Sequence, residues 1–143
     1  MTAFRSRRQE SEYKKYLKTA KSEGCVFCAI QKGADQYLEE TEYFKVIKNN
    51  FPYSLWDGQT VVDHLMIIPK KHTDNLKTME SSEKIEYVDL LEKYEKKGYN
   101  AYLRAPVSVI KTVIHQHTHL IKTEGGPKKL VLHMRKPYIR VVR

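Results

Sequence analysis

The chain has 143 residues, room for one domain with a sizeable core and too few for two ordinary ones. Its 26 basic residues against 17 acidic ones give a net charge of +9, which favours polyanionic partners such as nucleotides, nucleic acid or acidic lipid headgroups without choosing among them. No stretch approaches the ~20 apolar residues of a membrane span, and the opening Met1-Thr2-Ala3-Phe4-Arg5-Ser6-Arg7-Arg8 lacks the apolar core of a signal peptide, so the expectation is a cytoplasmic chain with no membrane partner.

From Arg8 to Glu23, Tyr13, Tyr16, Leu17 and Ala20 fall at helical spacing and Gly24 follows, which predicts an amphipathic helix. Cys25-Val26-Phe27-Cys28 comes next. Tyr37 to Lys48 reads as a short strand pair with Phe44, Val46 and Ile47 as core, Phe51 to Gly58 as a connection, and Thr60 to Ile68 as a strong strand closed by Pro69. Ser82 to Lys97 predicts a second helix, its apolar stripe running through Ile85, Val88, Tyr87, Leu91 and Tyr94 and ending at Gly98. Two neighbouring strands are expected at Tyr99 to Leu103 and Thr112 to Lys122. After Gly125-Gly126-Pro127 a tail from Lys128 to Arg143 mixes apolar and basic residues and contains no acid. Strands, a helix and strands again predict an α+β domain on an antiparallel sheet.

The most informative segment is Val113-Ile114-His115-Gln116-His117-Thr118-His119-Leu120-Ile121. In a strand, side chains alternate faces, so three imidazoles would project from one face about 7 Å apart while Gln116, Thr118 and Leu120 face the other. Imidazole serves as nucleophile, proton carrier or metal ligand near neutral pH, which makes such a row a candidate reactive site; an adventitious surface cluster is the plainer alternative. Cys25 and Cys28 form a CxxC pair, which in a reducing compartment binds metal, does redox chemistry or simply packs as buried free thiols.

Three pieces together, Cys25 to Cys28, Asp63-His64-Leu65-Met66-Ile67-Ile68-Pro69-Lys70-Lys71-His72, and His115 to Ile121, resemble the histidine-triad (HIT) family of nucleotidyl hydrolases and transferases, most of all its bacterial zinc-bearing members. The match covers roughly residues 25 to 122 of a single HIT-like domain spanning 1–143. A helical extension (1–24) and a basic extension (123–143) lie outside it. The resemblance implies an antiparallel sheet of about five strands with a long central helix, to which the N-terminal helix and the strand-like C-terminal tail are additions.

It also implies a mechanism. His117 would attack the α-phosphorus of a nucleotide, a purine nucleotide in the family, to form a covalent nucleotidyl-histidine. His119 would stabilise charge or pass a proton toward the leaving group, unless it is a structural strand residue, and a His at this position resembles the hydrolase branches. His64 would stand behind the catalytic row as an orienting group, or be a satisfied core histidine. Asn49, with Asn50 as the alternative register, matches the residue that meets the ribose hydroxyls, and Thr112 the hydroxyl that meets the phosphate. Here the chain departs from the family pattern: Ile110-Lys111-Thr112 stands where Gly-Gln-Ser/Thr is usual. Lys111 would favour leaving groups rich in anionic phosphate, or be a solvated strand lysine. Cys25, Cys28, His72 and His115 match a closed Cys₂His₂ set suited to structural zinc.

The implied activity is hydrolysis of an adenylate phosphoramidate or dinucleoside polyphosphate by a homodimer; the rival reading is a zinc-stabilised module that only binds nucleotide or nucleic acid. Lys128, Lys129, Arg135, Lys136, Arg140 and Arg143, with Arg5, Arg7 and Arg8, could form a basic face for nucleic acid, or Tyr138 to Val142 could extend the sheet or pair with a second subunit.

Overall fold

The computed structural model describes residues 3–20, 24–128, 131–135 and 138–142. The chain opens with a two-residue strand β1 (Ala3–Phe4) and a helix α1 (Arg7–Ala20), and β2 (Tyr37–Glu40) and β3 (Phe44–Lys48) form the expected strand pair. A second two-residue strand, β4 (Leu55–Trp56), turns through Asp57-Gly58 into the long β5 (Gln59–Pro69). Then come α2 (Ser81–Glu95), β6 (Asn100–Leu103), β7 (Thr118–Glu124), and a hairpin of β8 (Val131–Arg135) and β9 (Tyr138–Val142). The last three residues expected in the first helix, 21–23, lie outside the described residues.

β5 is the axis. It pairs antiparallel with β3 from Phe44↔Pro69 to Lys48↔Leu65, and with β7 from Ile67↔Thr118 to Thr60↔Glu124. β2 lies beyond β3 and β6 beyond β7, so the antiparallel order β2-β3-β5-β7-β6 is the sheet of about five strands, widened by β4 and β1 at the start of β5.

Alternation along these strands separates two chemistries. On one face Phe44, Val46, Leu65, Ile67 and Leu120 pack beneath Leu90 and Tyr94 of α2. On the other, Ile47, Met66 and Ile68 pack with Phe27. Burying each such side chain contributes roughly 1.5–3 kcal/mol, and both faces are covered along Leu65–Ile68, which explains why that run is apolar without a break. His64 and His119 belong to the second face, away from α2.

Four expectations are corrected. Ile85 and Val88 do not belong to the buried stripe of α2; they are 64% and 59% exposed, because the face made by Tyr87, Leu90, Leu91 and Tyr94 turns them outward. The connection 51–58 contains β4, and its Asp57-Gly58 turn has positive φ at both residues, the conformation a tight two-residue hairpin demands. The triad segment enters the ladder only at Thr118, so His115 and His117 precede the strand. The tail strand Tyr138–Val142 pairs with β8, forming a separate two-stranded sheet. Lys129, Lys136 and Arg143 of the expected basic face lie outside the described residues.

Candidate active site

His117 is buried, and its Nδ1 lies 2.8 Å from the carbonyl oxygen of His115. A carbonyl only accepts, so Nδ1 carries the proton and Nε2 is bare. Burial pushes His117 down to about 4, against only a partial opposing pull from that backbone bond, so the ring is neutral at physiological pH. A neutral imidazole with its free nitrogen fixed is a nucleophile.

His119 continues the row, its ring 5.0 Å from that of His117 and edge-on to it. Behind it, His64 accepts the backbone N–H of Tyr53 at Nδ1 (3.2 Å), with Asn49 Nδ2 over the ring, 3.4 Å from Nδ1 and 3.2 Å from Nε2. The proton of His64 is therefore on Nε2, which faces Nδ1 of His119 at 2.9 Å. That bond places the His119 proton on its own Nε2, making it a donor beside the bare nitrogen of His117. Burial pushes His64 down to about 3 and His119 well below its ordinary value, with neighbouring charges adding to both. Tyr53 and Tyr102 flank the His119 ring at 5.7 and 6.0 Å.

The third triad histidine turns to other partners. His115 directs Nε2 at the Pro69 carbonyl (3.0 Å), leaving Nδ1 bare, 3.3 Å from Cys25 Sγ and 3.5 Å from Cys28 Sγ. His72 Nδ1 lies 3.2 Å from Cys28 Sγ, and the four donor atoms are all within 4.8 Å of one another. Tetrahedral zinc bonds of the usual lengths put sulfur and nitrogen about 3.6 Å apart, so two thiols and two imidazoles at these separations fit that ion. The carbonyl on His115 Nε2 is the outer partner such a ligand ordinarily has. The CxxC turn is held by buried Lys45, whose Nζ donates to the carbonyls of Phe27 and Ile30, each at 2.7 Å.

A pocket opens over His117 and His119. Val26, Phe27, Ile30, Ile47 and Met66 make an apolar wall, with Phe27 4.9 Å from the His117 ring. Asn49 lies at its edge, buried, its Oδ1 accepting the Phe51 N–H at 2.9 Å, and Asn50 lines it as well. The opposite wall comes from the N-terminal segment through Arg5, Tyr13, Tyr16 and Leu17. Phe51 meets Tyr13 and Tyr16 at 5.3 and 5.0 Å, and Thr112 is hydrogen-bonded to the Tyr13 hydroxyl. Lys111 lines the pocket but spends its ammonium on the Asp74 carbonyl (3.0 Å) and Gln116 Oε1 (2.8 Å).

All ten residues singled out from the sequence thus fall into two adjoining groups. Cys25, Cys28, His72 and His115 make one; His117, His119, Asn49, Lys111 and Thr112 line the pocket with His64 behind His119, and the His115 carbonyl joins the two. Arg104, Tyr53 and Tyr102 carry no signal in the sequence, because a single arginine or tyrosine has no informative spacing, and the periodicity of the N-terminal helix does not show that its tyrosines reach the pocket.

Among solved structures the chain is similar to a HIT family hydrolase from Clostridium thermocellum, 30% identical over 76% of this chain and 98% of that one, with a TM-score of 0.55. It shares the fold of a Zn-bound histidine triad family protein from Mycobacterium smegmatis (24% identity, 73% and 78% of the two chains, TM-score 0.55). The same holds for a histidine triad nucleotide-binding protein from Candida albicans (24% identity, 74% and 85%, TM-score 0.51). No protein-family model and no curated protein matches the chain.

Proposed function

The chain belongs to the histidine-triad family, and from that premise we propose that it is a nucleotide hydrolase working through a covalent intermediate on His117. The observation that carries the reading is the bond from His117 Nδ1 to the His115 carbonyl, which leaves Nε2 bare beside a protonated His119 Nε2.

In the first step Nε2 of His117 bonds to the α-phosphorus as the bond to the leaving group breaks, and the electron pair goes with that group. His119 donates a hydrogen bond from its Nε2–H to the phosphoryl oxygens and so stabilises the charge that gathers there, while an amine leaving group departs with a proton taken from solvent. Water then attacks the phosphorus and loses a proton to solvent, the P–N bond breaks with its electron pair returning to Nε2 of His117, and nucleoside monophosphate leaves. The apolar wall suits a purine base, Asn49 the ribose hydroxyls, and Thr112 a phosphate oxygen, once Tyr13 yields its bond. His64 fixes the His119 tautomer.

Zinc held by Cys25, Cys28, His72 and His115 belongs to the same reading. With four protein donors its site would be closed, so it supplies structure: it ties the turn after α1 to the segment that carries His117. The Mycobacterium smegmatis protein of the same fold is described as Zn-bound. A homodimer is also part of the proposal, supported by exposed Ile85 and Val88 on α2. Among the described residues no helix is long and apolar enough to cross a membrane.

The test is AMP release from adenosine phosphoramidate and diadenosine tetraphosphate by the wild type and His117→Ala. Release by the wild type alone supports the hydrolase. Nucleotide binding without release by either protein would return the chain to the class of binding modules.

A further inference from the structure

The pocket is strongly cationic. Arg5, Arg104 and Lys111 all line it, and no carboxylate does. Lys111 is occupied by Asp74 and Gln116. The two arginines are not occupied in that way, and they stand in matching positions about His119. Arg5 lies with Cζ 4.8 Å from the centre of the Tyr53 ring and 4.3 Å from that of Tyr13. Arg104 lies with Cζ 5.1 Å from the Tyr102 ring. Tyr53 and Tyr102 are the two rings that flank His119.

Each guanidinium is thus steadied by an aromatic face, which costs it none of its terminal N–H donors. Arg5 uses its Nε on the Phe51 carbonyl (2.8 Å), and its nearest acid, Glu10, is 3.8 Å from one terminal nitrogen. Among the described residues Arg104 has no acidic partner within salt-bridge distance. Two forked cations with free terminal donors, at the rim of a site that handles one phosphate, are suited to further phosphate oxygens.

We propose that Arg5 and Arg104 form an anion subsite for the phosphates beyond the scissile bond, so that the preferred substrates are nucleoside polyphosphates whose leaving group is itself a phosphate chain. The inference rests on the reading of the pocket as a nucleotide site. Such a leaving group departs with the electron pair of the broken P–O bond on its own bridging oxygen. It needs no proton at that moment, and what it needs is charge neutralisation, which two guanidiniums provide. The base wall and Asn49 serve the nucleoside in either class of substrate; the arginines distinguish the two. Arg5 comes from outside the family-like region, so the N-terminal segment is part of the specificity of the site.

The experiment measures binding of AMP, ADP and ATP to the full chain carrying His117→Ala, which removes turnover, by calorimetry at two salt concentrations without added magnesium. Affinity should rise from AMP to ATP by roughly tenfold or more, and the ratio should shrink at higher salt. Arg104→Gln should cut the ATP:AMP ratio several-fold and Arg104→Lys should keep part of it, a rescue that a merely structural loss would not give. Arg5→Gln should act in the same direction, with its fold checked by thermal melting because Arg5 also holds Phe51. AMP binding with no preference for ATP overturns the subsite and leaves the nucleotide reading standing. Failure of AMP itself to bind overturns both.

Discussion

Nε2 of His64 lies 2.9 Å from Nδ1 of His119, and the Tyr53 N–H on the other nitrogen of His64 decides which way the proton points. A backbone amide thus determines that His119, in the proposed reaction, would meet the substrate as a donor. His64→Ala is expected to lower kcat by about 10–100-fold, the usual cost of losing a partner that orients a reacting group, with a much smaller change in KM. Steady-state kinetics on adenosine phosphoramidate check this; an equal loss in KM would mean that His64 only shapes the pocket.

The same two rings predict acid sensitivity. His64 is pushed down to about 3 and His119 well below its ordinary 6.5, in both cases first by burial. Both are neutral in the fold and protonate more readily in the unfolded chain, so stability is fully present above about pH 6.5 and is lost as pH falls toward 3. Each ring contributes a slope approaching about 1.4 kcal/mol per pH unit in that window. Denaturant titrations between pH 7.5 and 4.5 should show the decline, and His64→Gln should shallow it by about one proton. A flat profile would contradict the buried neutral pair.

Lys111 gives a stability prediction where the sequence suggested a phosphate-binding one. Gln116 is buried, its Oε1 accepts from the Lys111 ammonium at 2.8 Å, and its Nε2 has no partner among the described residues. Lys111→Ala leaves the whole amide unpaired, at a cost of about 1–3 kcal/mol. Thermal denaturation should register a fall of several degrees; an unchanged midpoint would return Lys111 to the phosphate.

For the Cys₂His₂ cluster, protein prepared without a polyhistidine tag should contain about one zinc per chain. Chelation, or Cys28→Ser, should lower the melting temperature and slow turnover together, because His115 lends its side chain to the cluster and its carbonyl to His117. Metal-free protein with two titratable thiols and undiminished stability would argue for a plain pair of buried cysteines.

Much of this was legible in the chain itself. The unbroken apolar run before Pro69 became β5, and Gly98, at φ +82°, does follow the end of α2. Alternation put His119 on the face opposite Thr118 and Leu120, and the structure adds that Leu120 faces α2. Periodicity could not show where β7 begins, because residues 111–117 are held by single long-range bonds such as Gln116 N–H to the Thr73 carbonyl (2.6 Å) instead of a ladder. Asp57-Gly58 is a strong turn signal, but β4 before it has only two residues and leaves no alternation to read. Arg5 and Arg104 are brought to one pocket only by the fold, and no local pattern could have paired them.

The most direct test of the account is to mix the chain with adenosine phosphoramidate, quench in base, where a phosphorus–nitrogen bond on histidine survives, and map the adduct by mass spectrometry. A single adenylate on His117, absent from His117→Ala, is the predicted result. An adduct on another residue, or one that persists in His117→Ala, would contradict it.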